Sequence, residues 1–184
     1  MSHGHRHHRD AEGAASSVEA HRRAGPTRIP SVVVTVSDSR TLADDAGGAL
    51  LVELLEAAGH PVVGRVLVPD EVDAIQQAID EAVMRDDVAA VFLTGGTGIA
   101  GRDVTPEALA PVCDRVIPGF GELFRMLSYQ EIGPAALLSR ALAGVVRGRL
   151  VAALPGSRAA IRLAMERLLL PELGHLVREA ARRV

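Results

Sequence analysis

The sequence predicts an α/β protein, with a three-layer α/β/α arrangement around a mostly parallel, mixed sheet. Short apolar runs with the character of strands alternate with amphipathic helical segments along the first half of the chain. Connections of this kind between strands are right-handed and make neighbouring strands parallel. The 184 residues, of which 48% are hydrophobic, are enough for the core of one such domain.

The first half of the domain is predicted to contain three strands and two helices in alternation. The predicted segments are strand 31–36, helix 45–58, strand 62–68, helix 71–85 and strand 88–93. The first helix ends where Gly59 and Pro61 interrupt it, and the second repeats apolar side chains every three or four residues. Strands linked by helices of this length form the parallel part of the sheet.

The second half is predicted to add helices and a pair of strands. Helical segments are expected around 121–130 and 134–139, the strand pair at 143–147 and 150–154, and helices from 157 to 169 and from 172 to 183. Gly148 is expected to turn the chain between the two strands, because glycine adopts the backbone of a tight hairpin at little cost.

Residues 1–28 differ in composition from the rest and are predicted to form a disordered tail before a domain of residues 29–184. Five of the seven histidines lie in this segment: His3, His5, His7, His8 and His21. Such a segment has too little apolar surface to offset the entropy lost on ordering. The histidines could bind a metal in passing, belong to a natural extension or be an artificial addition.

Charge, hydropathy and cysteine content restrict the function classes. A net charge of −3 with scattered Lys and Arg predicts no nucleic-acid binding. The sequence contains no apolar run of about 20 residues, so no membrane span is predicted. The N-terminus lacks the apolar region of a signal peptide. Cys113 is the single cysteine, so no internal disulfide is expected. These features together predict a cytoplasmic location.

A glycine-rich run after the third strand carries the strongest functional signal. It consists of Thr94, Gly95, Gly96, Thr97 and Gly98, and Arg102 and Asp103 follow it. Glycines let backbone N–H groups approach an anion closely, and threonine hydroxyls can donate to phosphate or bind a metal through water. Thr105 is predicted to cap the next helix, with Pro106 at its first position. A strand, this loop and a helix N-terminus in succession predict a phosphate site.

Three other interpretations of this run are weaker. A tight turn without a ligand would use two glycines, but it would not need the threonine, arginine and aspartate side chains beside them. The P-loop motif is absent from the sequence. Residues 96–101 match Gly-x-Gly-x-x-Gly, yet the loop follows the third strand and has no acidic residue at the spacing that a dinucleotide site requires.

The ends of the predicted strands supply further polar groups. Ligands of a parallel sheet bind beyond the carboxyl ends of its strands, which selects Ser37-Asp38, Pro69-Asp70 and the glycine-rich run. Carboxylate oxygens at two of these ends suit a site for magnesium and nucleotide phosphate.

A second loop is also expected to bind an anion. Pro155, Gly156 and Ser157 end the last strand and open a helix, with Ser157 as the cap and Arg158 adding positive charge. An ordinary capped helix without a ligand is the alternative for this loop.

Several sequence blocks occur together in order. They are Val36-Ser37-Asp38, Asp45-x-Gly47, Val68-Pro69-Asp70, the glycine-rich run with residues 102–107, residues 118–122, and Leu154-Pro155-Gly156-Ser157. With these blocks, the chain from residue 31 to about residue 170 resembles the molybdopterin-binding family of molybdenum cofactor biosynthesis. The resemblance implies the molybdopterin-binding fold.

The resemblance also implies an activity, the magnesium-dependent transfer of AMP from ATP to the terminal phosphate of molybdopterin, with release of pyrophosphate. It implies that Asp70 and Asp103 are catalytic and organise Mg²⁺ and the attacking phosphate. Contacts to substrate or nucleotide are implied for Ser37, Asp38, Thr94, Gly95, Gly96, Thr97, Gly98, Arg102, Pro155, Gly156 and Ser157. Arg158 would join Ser157 in holding the pterin or its phosphate.

A non-catalytic molybdopterin-binding or carrier module of the cofactor biosynthesis protein B type is the alternative function. Residues 119–133 resemble that branch, whereas residues 102–106 follow the pattern of active adenylyltransferases. Molybdate insertion ranks lowest, because insertases carry additional domains for which 184 residues leave no room. The resemblance implies a homotrimer or homohexamer, with a molybdate-insertion enzyme as a further candidate partner.

Overall fold

A computed structural model describes residues 25–182, which form a six-stranded sheet with helices on both faces. The strands are β1 (Ser31–Val36), β2 (Val62–Val68), β3 (Ala90–Thr94), β4 (Arg115–Val116), β5 (Leu142–Val146) and β6 (Arg149–Leu154). Their order across the sheet is β2-β1-β3-β6-β5-β4. The first four in this order are parallel, and β5 is antiparallel to both of its neighbours. The mostly parallel, mixed sheet predicted from the sequence is confirmed.

The helices of the described part connect and cover these strands. They are α1 (Ala46–Ala57), α2 (Val72–Val83), α3 (Thr105–Leu109), α4 (Pro118–Ile132), α5 (Arg158–Ala164) and α6 (Leu170–Ala181). Short 3₁₀ segments follow α3 (Ala110–Val112) and α4 (Gly133–Leu138), and a π-helical turn (Met165–Leu169) joins α5 to α6. No helix within residues 25–182 is both long enough and apolar enough to cross a membrane.

Successive residues of the central strands supply the two cores. In β1, Val33 packs into the core beneath α1, α4, α5 and α6, whereas Val32 and Val34 pack into the core beneath α2 and α3. Side chains of a strand point alternately to the two faces of the sheet. All six residues of β1 are buried, because helices cover both faces of the sheet at this strand. The three-layer arrangement predicted from the sequence is therefore confirmed.

Strand register positions the functional site. Val36 at the end of β1 pairs with Val68 at the end of β2, and Thr35 pairs with Thr94 at the end of β3. The residues that follow these three strands therefore meet at one edge of the sheet, which we call the carboxyl edge. The sequence blocks of the predicted site lie there.

Three predicted helices differ from the structure in extent. The helix predicted at 121–130 runs from Pro118 to Ile132, because Pro118 suits the first turn and Gly133, with a φ of +63°, ends the helix. The helices predicted at 157–169 and 172–183 form one continuous stretch. The π-helical turn carries the chain past Pro171, which lies in the first turn of α6.

Two further local details escaped sequence analysis. The prediction that Thr105 caps α3 is wrong, because Val104 occupies the cap position and makes no side-chain hydrogen bond there. The Thr105 hydroxyl instead donates to the Gly95 carbonyl at 2.9 Å. Strand β4 has only two residues, too few to show a periodic pattern. The predicted disordered tail lies outside the described residues, except for residues 25–28.

Candidate active site

A cleft of about 470 Å³ opens at the carboxyl edge, where β1, β2, β3 and β6 end. Eight of the predicted site residues line it: Ser37, Asp70, Thr94, Gly95, Gly96, Asp103, Gly156 and Ser157. The other five, Asp38, Thr97, Gly98, Arg102 and Pro155, belong to the same loops but do not line the cleft. The structure therefore brings the separate sequence blocks together at one place.

Asp38 and Asp70 face each other beyond the ends of β1 and β2. The Asp38 N–H donates to the Asp70 carboxylate at 3.1 Å, and the Asp70 N–H donates to the Asp38 carboxylate at 3.0 Å. Each aspartate is the second residue after its strand, so the parallel pairing of Val36 with Val68 places them opposite each other. Two acidic side chains are thereby fixed at the edge of the cleft.

Arg102 forms a bidentate ion pair with Asp38. Its Nε lies 2.9 Å from Oδ2 of Asp38, and a terminal nitrogen lies 2.8 Å from Oδ1. The hydrogen bond from the guanidinium holds the pKa of Asp38 below its ordinary value, and the bond from the Asp70 N–H makes a smaller contribution in the same direction. Any ligand contact of Asp38 must therefore compete with Arg102.

Asp70 has the opposite electrostatic environment. Partial burial raises the pKa of its carboxyl, and the neighbouring negative charge of Asp38 raises it further, with a smaller contribution from Asp103. Like charges held close together disfavour ionisation of both groups. A cation bound near Asp70 would relieve this repulsion.

The β3 loop, residues 95–104, has a backbone that only glycine can adopt at two positions. Gly95 and Gly96 have φ values of +107° and +61°. A Cβ on Gly95 would stand 2.2 Å from the Val36 carbonyl oxygen, and one on Gly96 would stand 2.5 Å from the Thr105 hydroxyl. The glycines that sequence analysis connected with phosphate binding are thus also required by the close approach of β1 and α3.

Successive amide groups of this loop have no hydrogen-bond acceptor in the described part of the chain. Within residues 25–182, the N–H groups of Gly96, Thr97 and Gly98 donate to no backbone or side-chain acceptor. Successive unpaired N–H groups in a glycine-rich turn form a concave anion site. Of these three residues only Gly96 lines the cleft, and Thr97 is buried, at 3% exposure. The contact of Thr97 with phosphate stays a prediction.

Asp103 closes the far end of the β3 loop. Its carboxylate accepts a hydrogen bond from the Ala100 N–H at 2.8 Å, and its own N–H donates to the Ala100 carbonyl at 2.9 Å. A Cβ on Gly98 would stand 2.7 Å from Oδ2 of Asp103. The reciprocal bonds fold the loop back on itself and fix the Asp103 carboxylate at the cleft.

The β6 loop, residues 155–157, is joined to the β3 loop and caps α5. The Gly95 N–H donates to the Leu154 carbonyl at 3.1 Å, and the Thr94 hydroxyl donates to the Pro155 carbonyl at 3.2 Å. The Thr94 hydroxyl, predicted to contact phosphate, is therefore occupied by this link. Ser157 accepts from the Ala160 N–H at 3.3 Å, which confirms its predicted role as the cap.

Asp45 is a buried residue of the cleft that sequence analysis placed only at the start of a helix. Its carboxylate accepts hydrogen bonds from the Thr35 hydroxyl at 2.5 Å, the Gly48 N–H at 2.9 Å and Arg65 at 2.9 Å. Burial acts to raise the pKa of Asp45, but these bonds outweigh it and hold the pKa below its ordinary value. The ionised carboxylate fixes the start of α1 beside the cleft.

Arg140, which precedes β5, was also missed. Its N–H donates to the Thr97 carbonyl at 2.9 Å, its Nε donates to the Gly98 carbonyl at 2.6 Å, and a terminal nitrogen donates to the Asp103 carbonyl at 2.5 Å. Its other terminal nitrogen pairs with the Glu107 carboxylate. No sequence pattern marks Arg140, because it is a single arginine between a helical segment and a strand.

Asp70 and Asp103 fit a magnesium ion that takes few ligands from the protein. A Cβ on Gly96 would stand 2.8 Å from Oδ1 of Asp70, and both carboxylates lie against the side of the β3 loop that the glycines leave bare. Among residues 25–182, no group of three or more His, Cys, Asp or Glu side chains converges on a metal position. Mg²⁺ commonly takes one or two carboxylates and completes its shell with water and substrate phosphates. Two carboxylates beside a glycine-rich loop meet the protein's part of that requirement.

Comparison with known proteins identifies similar sequences over most of the chain. Residues 32–175 match the family described as "Probable molybdopterin binding domain". The chain is 51% identical over 164 residues to molybdenum cofactor biosynthesis protein B of Halalkalibacterium halodurans, which covers 89% of this chain and 96% of that protein. It is 49% identical over 164 residues to the Bacillus subtilis protein of the same name, with the same two coverages.

Solved structures share the fold. A crystal structure of molybdenum cofactor biosynthesis protein B is 48% identical in sequence and superimposes with a TM-score of 0.83, covering 86% of this chain and 99% of that one. The tungsten cofactor synthesizing protein of Pyrococcus furiosus is 35% identical, with a TM-score of 0.77 and coverages of 85% and 99%. The fold implied by the sequence resemblance is confirmed.

Proposed function

Because the chain belongs to the molybdopterin-binding domain family and takes part in molybdenum cofactor biosynthesis, we propose that it catalyses magnesium-dependent transfer of AMP from ATP to molybdopterin. One observation carries the proposal: Asp70 and Asp103 lie against a glycine loop whose N–H groups at residues 96–98 have no acceptor within residues 25–182. This arrangement combines a place for phosphate with two carboxylates for a cation.

The proposed reaction is a displacement at the α-phosphorus of ATP. An oxygen of the terminal phosphate of molybdopterin forms the new P–O bond, and the bond to the β-phosphate breaks to release pyrophosphate. A phosphate nucleophile is already anionic at neutral pH, so the reaction requires alignment and charge neutralisation more than a strong base. The N–H groups of residues 96–98 would hold the phosphates of the nucleotide, since the N–H of Gly95 already donates to the Leu154 carbonyl.

Asp70 and Asp103 would hold the magnesium ion. When bound, Mg²⁺ neutralises charge on the phosphates and helps to align them. Since burial and the charge of Asp38 raise the pKa of Asp70, a bound cation and an ionised Asp70 would stabilise each other. We therefore expect metal binding to weaken as the pH falls and Asp70 becomes protonated.

The second loop would contact the other substrate. Ser157 lines the cleft as the cap of α5, and the exposed Arg158 is the first residue of that helix. A helix N-terminus with a hydroxyl and a guanidinium suits an anionic group, so we assign Ser157 and Arg158 to the pterin or its phosphate.

An exposed apolar surface supports the proposed homotrimer or homohexamer. Six large hydrophobic side chains on α4 and the 3₁₀ segment after it are about half or more exposed: Leu123, Met126, Tyr129, Ile132, Leu137 and Leu138. Contiguous exposed apolar side chains commonly mark a protein interface. A second copy of the chain is the proposed partner there, and sedimentation of the wild type and of Leu137→Glu would test it. A molybdate-insertion enzyme stays a candidate partner. The cytoplasm is the proposed location of the protein.

The alternative is a non-catalytic molybdopterin-binding or carrier module that uses the same cleft. The names of the similar proteins are as compatible with this module as with the adenylyltransferase, because they specify cofactor biosynthesis without stating an activity. The two functions differ in whether pyrophosphate is formed, so one assay can separate them.

That assay measures pyrophosphate release by the purified chain with molybdopterin, ATP and Mg²⁺, and each of the three is omitted in turn as a control. Molybdopterin binding is measured directly in a separate experiment. The adenylyltransferase predicts release that requires all three. Binding of molybdopterin without pyrophosphate release would identify the carrier module. Absence of molybdopterin binding would contradict both functions.

A further inference from the structure

We infer that Arg140 is a positioning residue, which holds the β3 loop in place and through it the Asp103 carboxylate. The inference rests on the proposed function for the role of Asp103 itself. Arg140 is not among the residues that line the cleft, so its effect on the reaction must pass through the loop that it binds.

The contacts of Arg140 are concentrated on one loop. Its side chain donates to the backbone carbonyls of Gly98 and Asp103 and forms an ion pair with Glu107 in the first turn of α3. Its backbone N–H donates to the Thr97 carbonyl, a bond that does not depend on the side chain. These acceptors lie before and after the exposed turn of residues 99–102. One side chain therefore clamps both ends of the turn that carries Asp103.

The main other restraint on this turn is the ion pair of Arg102 with Asp38. Apart from the bond that its carbonyl accepts from Arg140, Asp103 bonds only to Ala100 among the described residues, and Ile99 is 68% exposed. Arg140 is two-thirds buried, with 34% of its side chain exposed, and is followed by the buried Ala141 at the approach to β5. The Arg102 side chain is 62% exposed in its pair with Asp38, so Arg140 is the more buried of the two arginines that hold the turn, and it is anchored next to the sheet.

Only arginine fits this set of acceptors. The planar guanidinium presents donors in several fixed directions, which allows Nε and both terminal nitrogens to bond at once. A lysine ammonium at the end of a flexible stem could reach one of these acceptors and would leave the others without a donor. Loss of the guanidinium should displace the Asp103 carboxylate while leaving its chemistry intact.

The first part of the test is catalytic. We expect Arg140→Ala to lower kcat/KM for pyrophosphate release about 100-fold, the typical cost of a small displacement in an active site. Arg140→Lys should recover little of this loss. Millimolar guanidinium ion, far below denaturing concentrations, should restore activity to Arg140→Ala by filling the vacated space, whereas ammonium ion should not.

Arg85→Ala is the matched control. Arg85 is also a partly exposed, paired arginine, but it bonds to Asp87 and to the Val63 carbonyl near the start of β2. Its removal should leave kcat/KM unchanged and show no response to guanidinium. A drop in Arg140→Ala that guanidinium does not reverse, or wild-type activity in that variant, would overturn the inference.

The second part needs no activity and uses hydrogen exchange of the full chain. The amides of Ala100, Asp103 and Thr105 are hydrogen-bonded within or next to the loop. Arg140→Ala should accelerate exchange in peptides covering residues 97–107 and leave those covering β1 and β6 unchanged. Unchanged exchange there, or acceleration throughout the chain, would refute the positioning role. If the wild type forms no pyrophosphate, the proposed function fails and exchange alone decides whether Arg140 holds the loop.

Discussion

The β3 loop and the β6 loop follow adjacent parallel strands and contain the same kinds of residue, yet different forces fix them. The β3 loop has two glycines with positive φ, pressed against β1 and α3, and it depends on Arg140 from a distant part of the chain. The β6 loop is closed locally, since Ser157 caps the helix that follows it. Gly156 has only an ordinary contact, with its Cβ position 3.6 Å from the Gly95 Cα.

This difference separates two ways in which the loops would form the proposed anion sites. The β6 loop uses the general property of a helix N-terminus, which many capped helices possess without a ligand. The β3 loop leaves three N–H groups without an acceptor among residues 25–182 and fixes an acidic side chain beside them. We expect changes in the β3 loop to cost more in stability and in turnover.

The largest difference is expected between Gly95→Ala and Gly156→Ala. The first variant forces a Cβ to within 2.2 Å of the Val36 carbonyl in a left-handed conformation, and should lower the free energy of unfolding by about 3 kcal/mol or more. The second meets no such clash, so its effect should stay within about 0.5 kcal/mol. Urea unfolding measures both, and equal effects would contradict the proposed distinction between the loops.

Thr105→Val tests the hydrogen bond that joins α3 to the β3 loop. The Thr105 side chain is fully buried and donates to the Gly95 carbonyl at 2.9 Å, so valine leaves that carbonyl without its donor. The expected loss is about 1–2 kcal/mol by urea unfolding. Thr41→Val, at an exposed position, is the control and should be near neutral. A neutral Thr105→Val would mean that the loop does not need this bond.

Ser157→Ala tests the local cap of the β6 loop. Removing the hydroxyl that accepts from the Ala160 N–H should cost about 1 kcal/mol, and Ser157→Asp should preserve stability because aspartate is an equally good cap. Thermal unfolding of the two variants beside the wild type is sufficient. A larger loss of stability in Ser157→Ala than in Thr105→Val would contradict the expectation that the β3 loop is the more sensitive of the two loops.

The smallest effect concerns pH and the pair Asp38 and Asp70. The raised pKa of Asp70 means that the folded state binds its proton more tightly than the unfolded chain, so its contribution to stability falls as the pH rises through the interval between the two pKa values. Asp70→Asn should therefore be more stable than the wild type at pH 7, with the difference disappearing below the ordinary pKa of 3.8.

Asp38→Asn should show the opposite sign. The pKa of Asp38 is lowered by Arg102, so its ionised form stabilises the folded state at neutral pH and this contribution is lost as the pH falls through the folded pKa. Urea unfolding at several pH values compares the two variants. Destabilisation of Asp70→Asn at pH 7 would show that its ionised form is favoured in the free protein.

The fold and the place of the cleft could be predicted because their signals are local in the sequence. Buried runs mark the strands, and the residues directly after them, such as Asp70 and the glycines, must lie at the carboxyl edge once the strands are parallel. The contacts that fix the loops could not be predicted. Arg140 reaches Gly98 across 42 positions in the chain, and only the folded sheet brings them together.

The same reason explains the error over Thr105, whereas the predicted phosphate contact of Thr94 stays a prediction. Thr94 and Thr105 follow local patterns that suggest a phosphate contact and a helix cap, but the structure uses both hydroxyls to join neighbouring segments. For Thr105, the tertiary hydrogen bond outweighed the local preference of the side chain.

The most direct test of the account compares Asp103→Asn with Ser157→Ala in steady-state pyrophosphate release, with molybdopterin as the varied substrate and ATP and Mg²⁺ in excess. Asp103→Asn should lower kcat at least about 100-fold and keep molybdopterin binding, since its carboxylate serves the reacting phosphates. Ser157→Ala should raise KM for molybdopterin and change kcat by less than about twofold. Turnover of Asp103→Asn at the wild-type rate, or loss of molybdopterin binding in that variant equal to its loss of turnover, would contradict the account.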